Sequence, residues 1–259
     1  MVTMITNAIQ REFRPAISYA WQELLGYFGS RLQAVYLTGS VAYGEALPGV
    51  SDVDWFMFLD AEPSKEDLNW CHALRHTVLT RFPVAADYLL TPHAMAMLEG
   101  ESFWRFALRY NALRLYGVDL LATLEARGIT IDAPSRALAL GRLGWMQPLL
   151  ASLRAGCVPE YLFDTPETPC LFARKLARYF VLVEGAYLLM LEGQFISFRA
   201  LDVLPSLRIH YPEWEGLYKM TDALLLDPYT IDFSVEAFIS ALIPFFEGVV
   251  QRVEISSRQ

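Results

Sequence analysis

Phe13, Ile17, Trp21 and Leu24 recur at three- and four-residue intervals. That spacing gathers apolar side chains on one face and predicts an opening helix. Gln33–Thr38 is a short β-rich segment that stops at Gly39-Ser40, and Asp52–Leu59, dense in Val, Trp and Phe, predicts a second strand. Ser64–Leu79 is helical in composition, with Ser64 as N-cap and Asp67 at N3. Val84–Leu90 predicts a third strand closed by Thr91-Pro92, and Phe103–Leu115 returns to a helical pattern.

Gly117–Arg136 carries Gly117, Gly128 and Pro134, and after it the strand signals nearly vanish. Helices are expected over Ala137–Arg154, Pro169–Glu192, Arg199–Leu207, Trp214–Leu226 and Val235–Glu254. Pro159, Pro166, Pro169, Pro205, Pro212 and Pro228 punctuate them. No internal repeat or low-complexity tract interrupts the pattern. The expected fold is therefore α+β, an α/β half at residues 1–125 followed by an all-α bundle at 126–259.

Composition narrows this picture. The chain has 259 residues, 54% hydrophobic and 14% aromatic, the opposite of a disordered composition. Its longest apolar run, Tyr179–Phe195, contains Glu184 and Glu192, so it reads as a buried helix rather than a membrane span. Met1–Arg11 lacks the apolar stretch of a signal peptide. Cys71, Cys157 and Cys170 are odd in number and far apart, which fits a reducing cytoplasm. A net charge of −8 disfavours nucleic acid as a partner and suits a cationic small molecule.

The chemistry concentrates in Tyr36–Phe58. Residues two apart in a strand project from one face, so Asp52 and Asp54 can converge on one cation. Two anions on an otherwise apolar strand repel each other and are costly to desolvate, and Mg²⁺ supplies the missing counter-charge. Gly39-Ser40, at the end of the preceding strand, lets backbone and hydroxyl approach a phosphate. Asp87 sits among apolar neighbours in the third expected strand; an exposed edge carboxylate or a partner for Arg81 is the plainer reading of it.

Gly39-Ser40, eleven residues, then Asp52-Val53-Asp54 resembles the signature of the DNA polymerase β-like nucleotidyltransferase superfamily. With Ser51 ahead of the aspartates, the form is similar to the streptomycin/spectinomycin-type aminoglycoside adenylyltransferases, as is the Leu115-Tyr116-Gly117 turn. The resemblance implies an N-terminal nucleotidyltransferase domain with a mixed sheet flanked by helices and a helical acceptor-binding domain, with the active site in the cleft between them. It implies Mg²⁺ on Asp52, Asp54 and Asp87, ATP as co-substrate, and nucleotide contacts from Gly39, Ser40 and Ser51. Asp87 stands where that family usually has a glutamate, so its role as base or third ligand stays open. The reaction implied is AMP transfer to a hydroxyl of an aminoglycoside-like acceptor. Protein adenylylation, antitoxin-type nucleotidyl transfer and nucleotide binding without turnover are the alternatives.

The helical half adds a weaker set. Thr168-Pro169 opens a helix whose first turns carry Arg174, Lys175 and Arg178. Cations near a helix N-terminus oppose its dipole, which makes sense if they face a triphosphate; ion pairing with Glu167 or Glu184 is the alternative. Arg199 resembles a nucleotide-contacting position, and Asp164, Glu167 and Glu184 are candidates to line a cationic acceptor's pocket. Cys71, His72 and His76 have the spacing of zinc ligands but read better as ordinary helix residues. Trp55, Phe56 and Phe58 read as core.

Overall fold

A computed structural model of the chain describes residues 9–100, 102–155 and 168–258. They divide into two compact units, 1–133 and 134–259.

The first unit begins with α1 (Arg14–Phe28), opened by Pro15, whose fixed φ suits a first turn. Ile17, Trp21, Leu24 and Phe28 are buried on one face. β1 (Leu32–Thr38) leads directly into the short α2 (Gly39–Tyr43), and β2 (Val53–Leu59) returns antiparallel to β1. α3 (Lys65–Arg81) starts with a full capping box. The Ser64 hydroxyl accepts from Asp67 N–H, and the Asp67 carboxylate accepts from Ser64 N–H. Arg31 grips the same Asp67 through two hydrogen bonds of 2.8 and 3.1 Å. The guanidinium holds this carboxyl far below its ordinary range.

α3 is the crossover that lets β3 (Tyr88–Ala94) pair parallel with β2, as parallel neighbours require. α4 (Met97–Gly100), α5 (Ser102–Asn111), β4 (Ala112–Gly117) and α6 (Leu120–Ala126) complete the unit. The sheet order is β3-β2-β1-β4. On one face Val53, Trp55 and Met57 join Leu24, Cys71, Leu74 and Val78 in a core under α1 and α3. On the other, Tyr36 and Phe58 pack with Leu98, Leu108, Leu120 and Leu124 under α4, α5 and α6. The unit is thus a mixed sheet between two helical layers.

Two expectations are corrected here. Val84–Leu90 is not the third strand: β3 starts at Tyr88 and passes through Thr91-Pro92 to Ala94. Pro92 is tolerated because β3 is an edge strand, where its missing N–H forfeits no inner ladder bond. Phe103–Leu115 is a helix only to Asn111; the rest becomes β4, paired antiparallel with β1. Gly117 shows how tightly β4 closes on β1. It lies at φ +83°, and a Cβ there would come within 1.9 Å of the Gln33 carbonyl oxygen.

The second unit is helical. It comprises α7 (Arg136–Leu143), α8 (Met146–Arg154), α9 (Pro169–Leu176), α10 (Glu184–Leu191), α11 (Ala200–His210), α12 (Glu215–Leu226) and α13 (Val235–Ser256). The expected helix 137–154 is interrupted at Gly144-Trp145, and Ala177–Val183 between α9 and α10 is π-helical. Pro205 does not break its helix but lies inside α11, four residues after the exposed Leu201. Among the described residues no helix is long and apolar enough to cross a membrane. Cys157, Pro159, Asp164, Pro166 and Glu167 lie outside the described residues.

Candidate functional site

β1 and β2 are in register at Thr38 and Asp54. The residue after Thr38 is Gly39, at φ +70°, and a Cβ on it would lie 3.2 Å from Asp54 Oδ2. The glycine is needed twice, for the left-handed turn and for the carboxylate packed against it. Ser40 follows, buried at the start of α2. The Tyr43 hydroxyl ties α2 to the end of α5 by donating to Asn111 Oδ1 at 2.5 Å.

Asp52 lies just before β2 and is exposed; Asp54 is its second residue and half-buried. Val53 between them is wholly buried in the core. With Val53, Trp55 and Met57 in the core under α1 and α3, strand alternation puts Asp54 on the opposite side, and Asp52 stands two residues earlier, just ahead of the strand.

The loop carrying them is pinned at several points. The Gln10 side-chain amide exchanges two hydrogen bonds with the Ala46 backbone. The Ser51 hydroxyl accepts from Leu47 N–H at 2.9 Å, so this serine shapes the loop. Gly49 N–H donates to Val84 O, Ala86 N–H to Ser51 O and Val53 N–H to Asp87 O. Residues 84–87 thus run beside 49–53 although the regular strand starts only at Tyr88.

That pairing brings the Asp87 backbone next to Asp52, but the Asp87 carboxylate is committed elsewhere. Arg75 of α3 holds it by a two-point fork, Nε to Oδ1 and Nη2 to Oδ2, both 2.6 Å. Oδ1 also accepts from Tyr88 N–H. The partner is Arg75, not Arg81, whose guanidinium lies over the Tyr19 ring at 4.6 Å. Among the described residues no group of three or more His, Cys, Asp or Glu side chains is placed to hold a metal ion. Asp52 and Asp54 are hard oxygen donors, and Asp54 packs against a glycine where a side chain would press on its carboxylate, chemistry that suits Mg²⁺.

The basic set of the helical unit is not assembled as a cluster. Arg174 is buried, and its Nη1 donates to the carbonyls of Leu224 and Leu225 at 2.8 and 2.6 Å. It caps the C-terminus of α12, where a cation is favourable. Lys175 and Arg178 are half-buried, and Arg178 already lies in the π-helical turn, whose wider period spoils the four-residue alignment with 174. Thr168 is the N-cap residue of α9, but its hydroxyl meets Cys170 Sγ at 3.2 Å rather than capping. Arg199 precedes α11, its N–H donating to the Ser197 hydroxyl.

Glu184 does not line an open pocket. It is fully buried, and its Oε1 takes two bonds from Arg142, at 2.6 and 3.0 Å. The Arg142 guanidinium also lies 5.2 to 6.0 Å from the Trp145, Tyr179 and Tyr187 rings. Burial pushes the Glu184 carboxyl up to about 7, with Arg142 opposing that rise. On α3, His72 and His76 are exposed with ring centroids 5.6 Å apart. Cys71 is buried, its thiol pushed up to about 12 by desolvation, so it is a core residue.

Sequence reasoning missed Arg75 and Arg142. Both are ordinary helix-face arginines in the sequence, and only the chain's path brings their acids within reach.

Residues 17–90 match the family model described as a nucleotidyltransferase domain, a span from α1 to β3 that contains Gly39, Ser40, Ser51, Asp52, Asp54 and Asp87. The match supports the DNA polymerase β-like nucleotidyltransferase superfamily for this part of the chain. No curated protein matches the chain.

Proposed function

We propose that this chain, whose N-terminal unit carries a nucleotidyltransferase domain, transfers AMP from ATP to a hydroxyl of a small cationic acceptor of the aminoglycoside kind. One observation carries the reading: Gly39, at positive φ and with no side chain, packs against Asp54 Oδ2, and Asp52 stands two residues earlier, just ahead of β2.

Asp52 and Asp54 would hold Mg²⁺, which offsets charge on the triphosphate and lowers the pKa of a bound hydroxyl. Gly39 and the backbone of α2 leave room for a phosphate to approach. Ser40 stands beside that approach, while Ser51 keeps the loop closed so that Asp52 and Asp54 stay in place. Most of the rate acceleration would come from such positioning and from fixed charge. The acidic balance of the chain, −8, favours a cationic acceptor. Cytoplasmic residence fits the unpaired cysteines Cys71 and Cys170.

The test uses labelled ATP, Mg²⁺ and a panel of aminoglycosides. Pyrophosphate release only with an acceptor is expected, and Asp52→Asn and Asp54→Asn each abolish it while the circular dichroism spectrum stays unchanged. Turnover surviving in both variants would end the proposal. A second reading, nucleotide binding without turnover, is favoured by the Arg75 fork on Asp87. Binding of ATP with no pyrophosphate release under any acceptor would select it.

A further inference from the structure

We infer that Arg75 acts as a gate on the cation site, withholding Asp87 from Asp52 and Asp54 until the ion pair opens. The inference rests on the proposed reading of Asp52 and Asp54 as cation ligands. Val53 pairs with Tyr88 in the parallel ladder, so one step back along both chains sets residue 87 beside residue 52. Alternation from Tyr88, buried in the α1/α3 core, and Leu89, half exposed, would put side chain 87 on the same face as Asp54. The carboxylate instead reaches for α3, where the fork from Arg75 and the Tyr88 N–H occupy both its oxygens.

Arg75 cannot follow Asp87 across the sheet. Its helix is anchored in the core by Cys71, Leu74 and Val78. A divalent cation and the guanidinium therefore compete for the same two oxygens, and only one can have them. The competition is open in both directions because the pair is not sealed from solvent: each side chain is about a third exposed. Residue 87 lies in the irregular stretch before β3, so turning its side chain gives up the bond from Tyr88 N–H but leaves the backbone pairing of Val53 N–H with Asp87 O intact. Arg75 is thus a positioning residue whose effect on the site runs through Asp87 alone.

The probe is Mn²⁺ alone, titrated into the full chain and followed by electron paramagnetic resonance, with no turnover required. R75Q should bind Mn²⁺ about tenfold more tightly than the wild type, since the binding-competent fraction rises. R75K, which keeps the charge but not the fork, should fall between them. D87N alone should stay within about twofold of the wild type, because its carboxylate was already withheld, and R75Q/D87N should lose the gain. That non-additivity separates gating from simple removal of a positive charge. Equal affinities in R75Q and wild type, or a gain that persists in R75Q/D87N, overturn the gate. Should R75Q fail to fold, R75K with and without D87N makes the same comparison. If D52N abolishes Mn²⁺ binding while R75Q changes nothing, only the gate fails. If D52N binds as the wild type does, or no form binds at all, the reading of the site fails with it.

Discussion

Gly39 is where a single missing side chain matters most. A Cβ at φ +70° is strained in itself, and this one would stand 3.2 Å from Asp54 Oδ2, so the carboxylate would have to give by a few tenths of an ångström. Gly39→Ala should cost stability only about 1 kcal/mol, the penalty of a left-handed alanine. It should cost much more in transfer, because small errors of placement at a reacting centre lower rates by orders of magnitude. We expect a fall in kcat of at least about tenfold in the pyrophosphate-release assay, with urea denaturation nearly unchanged. A kcat equal to that of the wild type would remove Gly39 from the site. The approach of Gly39 to Asp54 was legible in the sequence, because the spacing between the end of one strand and the start of the next is local and a strand's two-residue alternation decides which side Asp54 takes. Asp87 was legible as an acid in an odd place, but not its partner: Arg75 lies twelve residues away on a helix whose rotation is set by packing.

At the scale of elements, Arg174 shows how a residue picked for one role can serve another. It lies in the last turn of the short α9, not its first turns, and its charge sits on the last carbonyls of α12. Arg174→Met keeps most of the apolar stem but leaves those carbonyls without their donor. Urea denaturation should show a loss of about 2 kcal/mol, in the range for hydrogen bonds from a charged donor to buried acceptors. Lys175→Ala should lose well under half of that. Equal effects of the two substitutions would mean that Arg174 is not the cap. The elements read well from sequence were those with local signatures, among them the amphipathic face of α1 and the Ser64–Asp67 capping box. β4 was missed because Ala112–Gly117 follows a helix without a break, and only pairing with β1 makes it a strand. The π-helical turn at Ala177–Val183 was invisible for the same reason: no residue type in it demands a wider turn.

Across the whole molecule, the two units should answer pH in opposite senses. In the first, Arg31 and the capping box hold Asp67 far below the usual carboxylate range. The unfolded chain takes up that proton first, so this contribution is present above about pH 4 and is lost on acidification. In the second, burial raises Glu184 to about 7. Between about pH 4.3 and 7 the folded state binds this proton and the unfolded state does not, so stability falls as pH rises. Calorimetry should therefore show the helical transition moving to lower temperature from pH 5.5 to 7.5, and Glu184→Gln should flatten that slope. A slope unchanged by the substitution would assign it to another group.

The sequence by itself determined the α/β half and the helical half, the Ser64 capping box, and the Gly39-Ser40 and Asp52-Val53-Asp54 spacing that the nucleotidyltransferase match includes. Each of these depends on residues close along the chain, where periodicity and turn chemistry act directly. Only the tertiary structure decided that Asp87 answers to Arg75, that Arg174 closes α12, and that Glu184 is buried against Arg142. A charged side chain takes whichever opposite charge or open carbonyl the packed backbone brings within about 3 Å, and that choice is made by the fold as a whole.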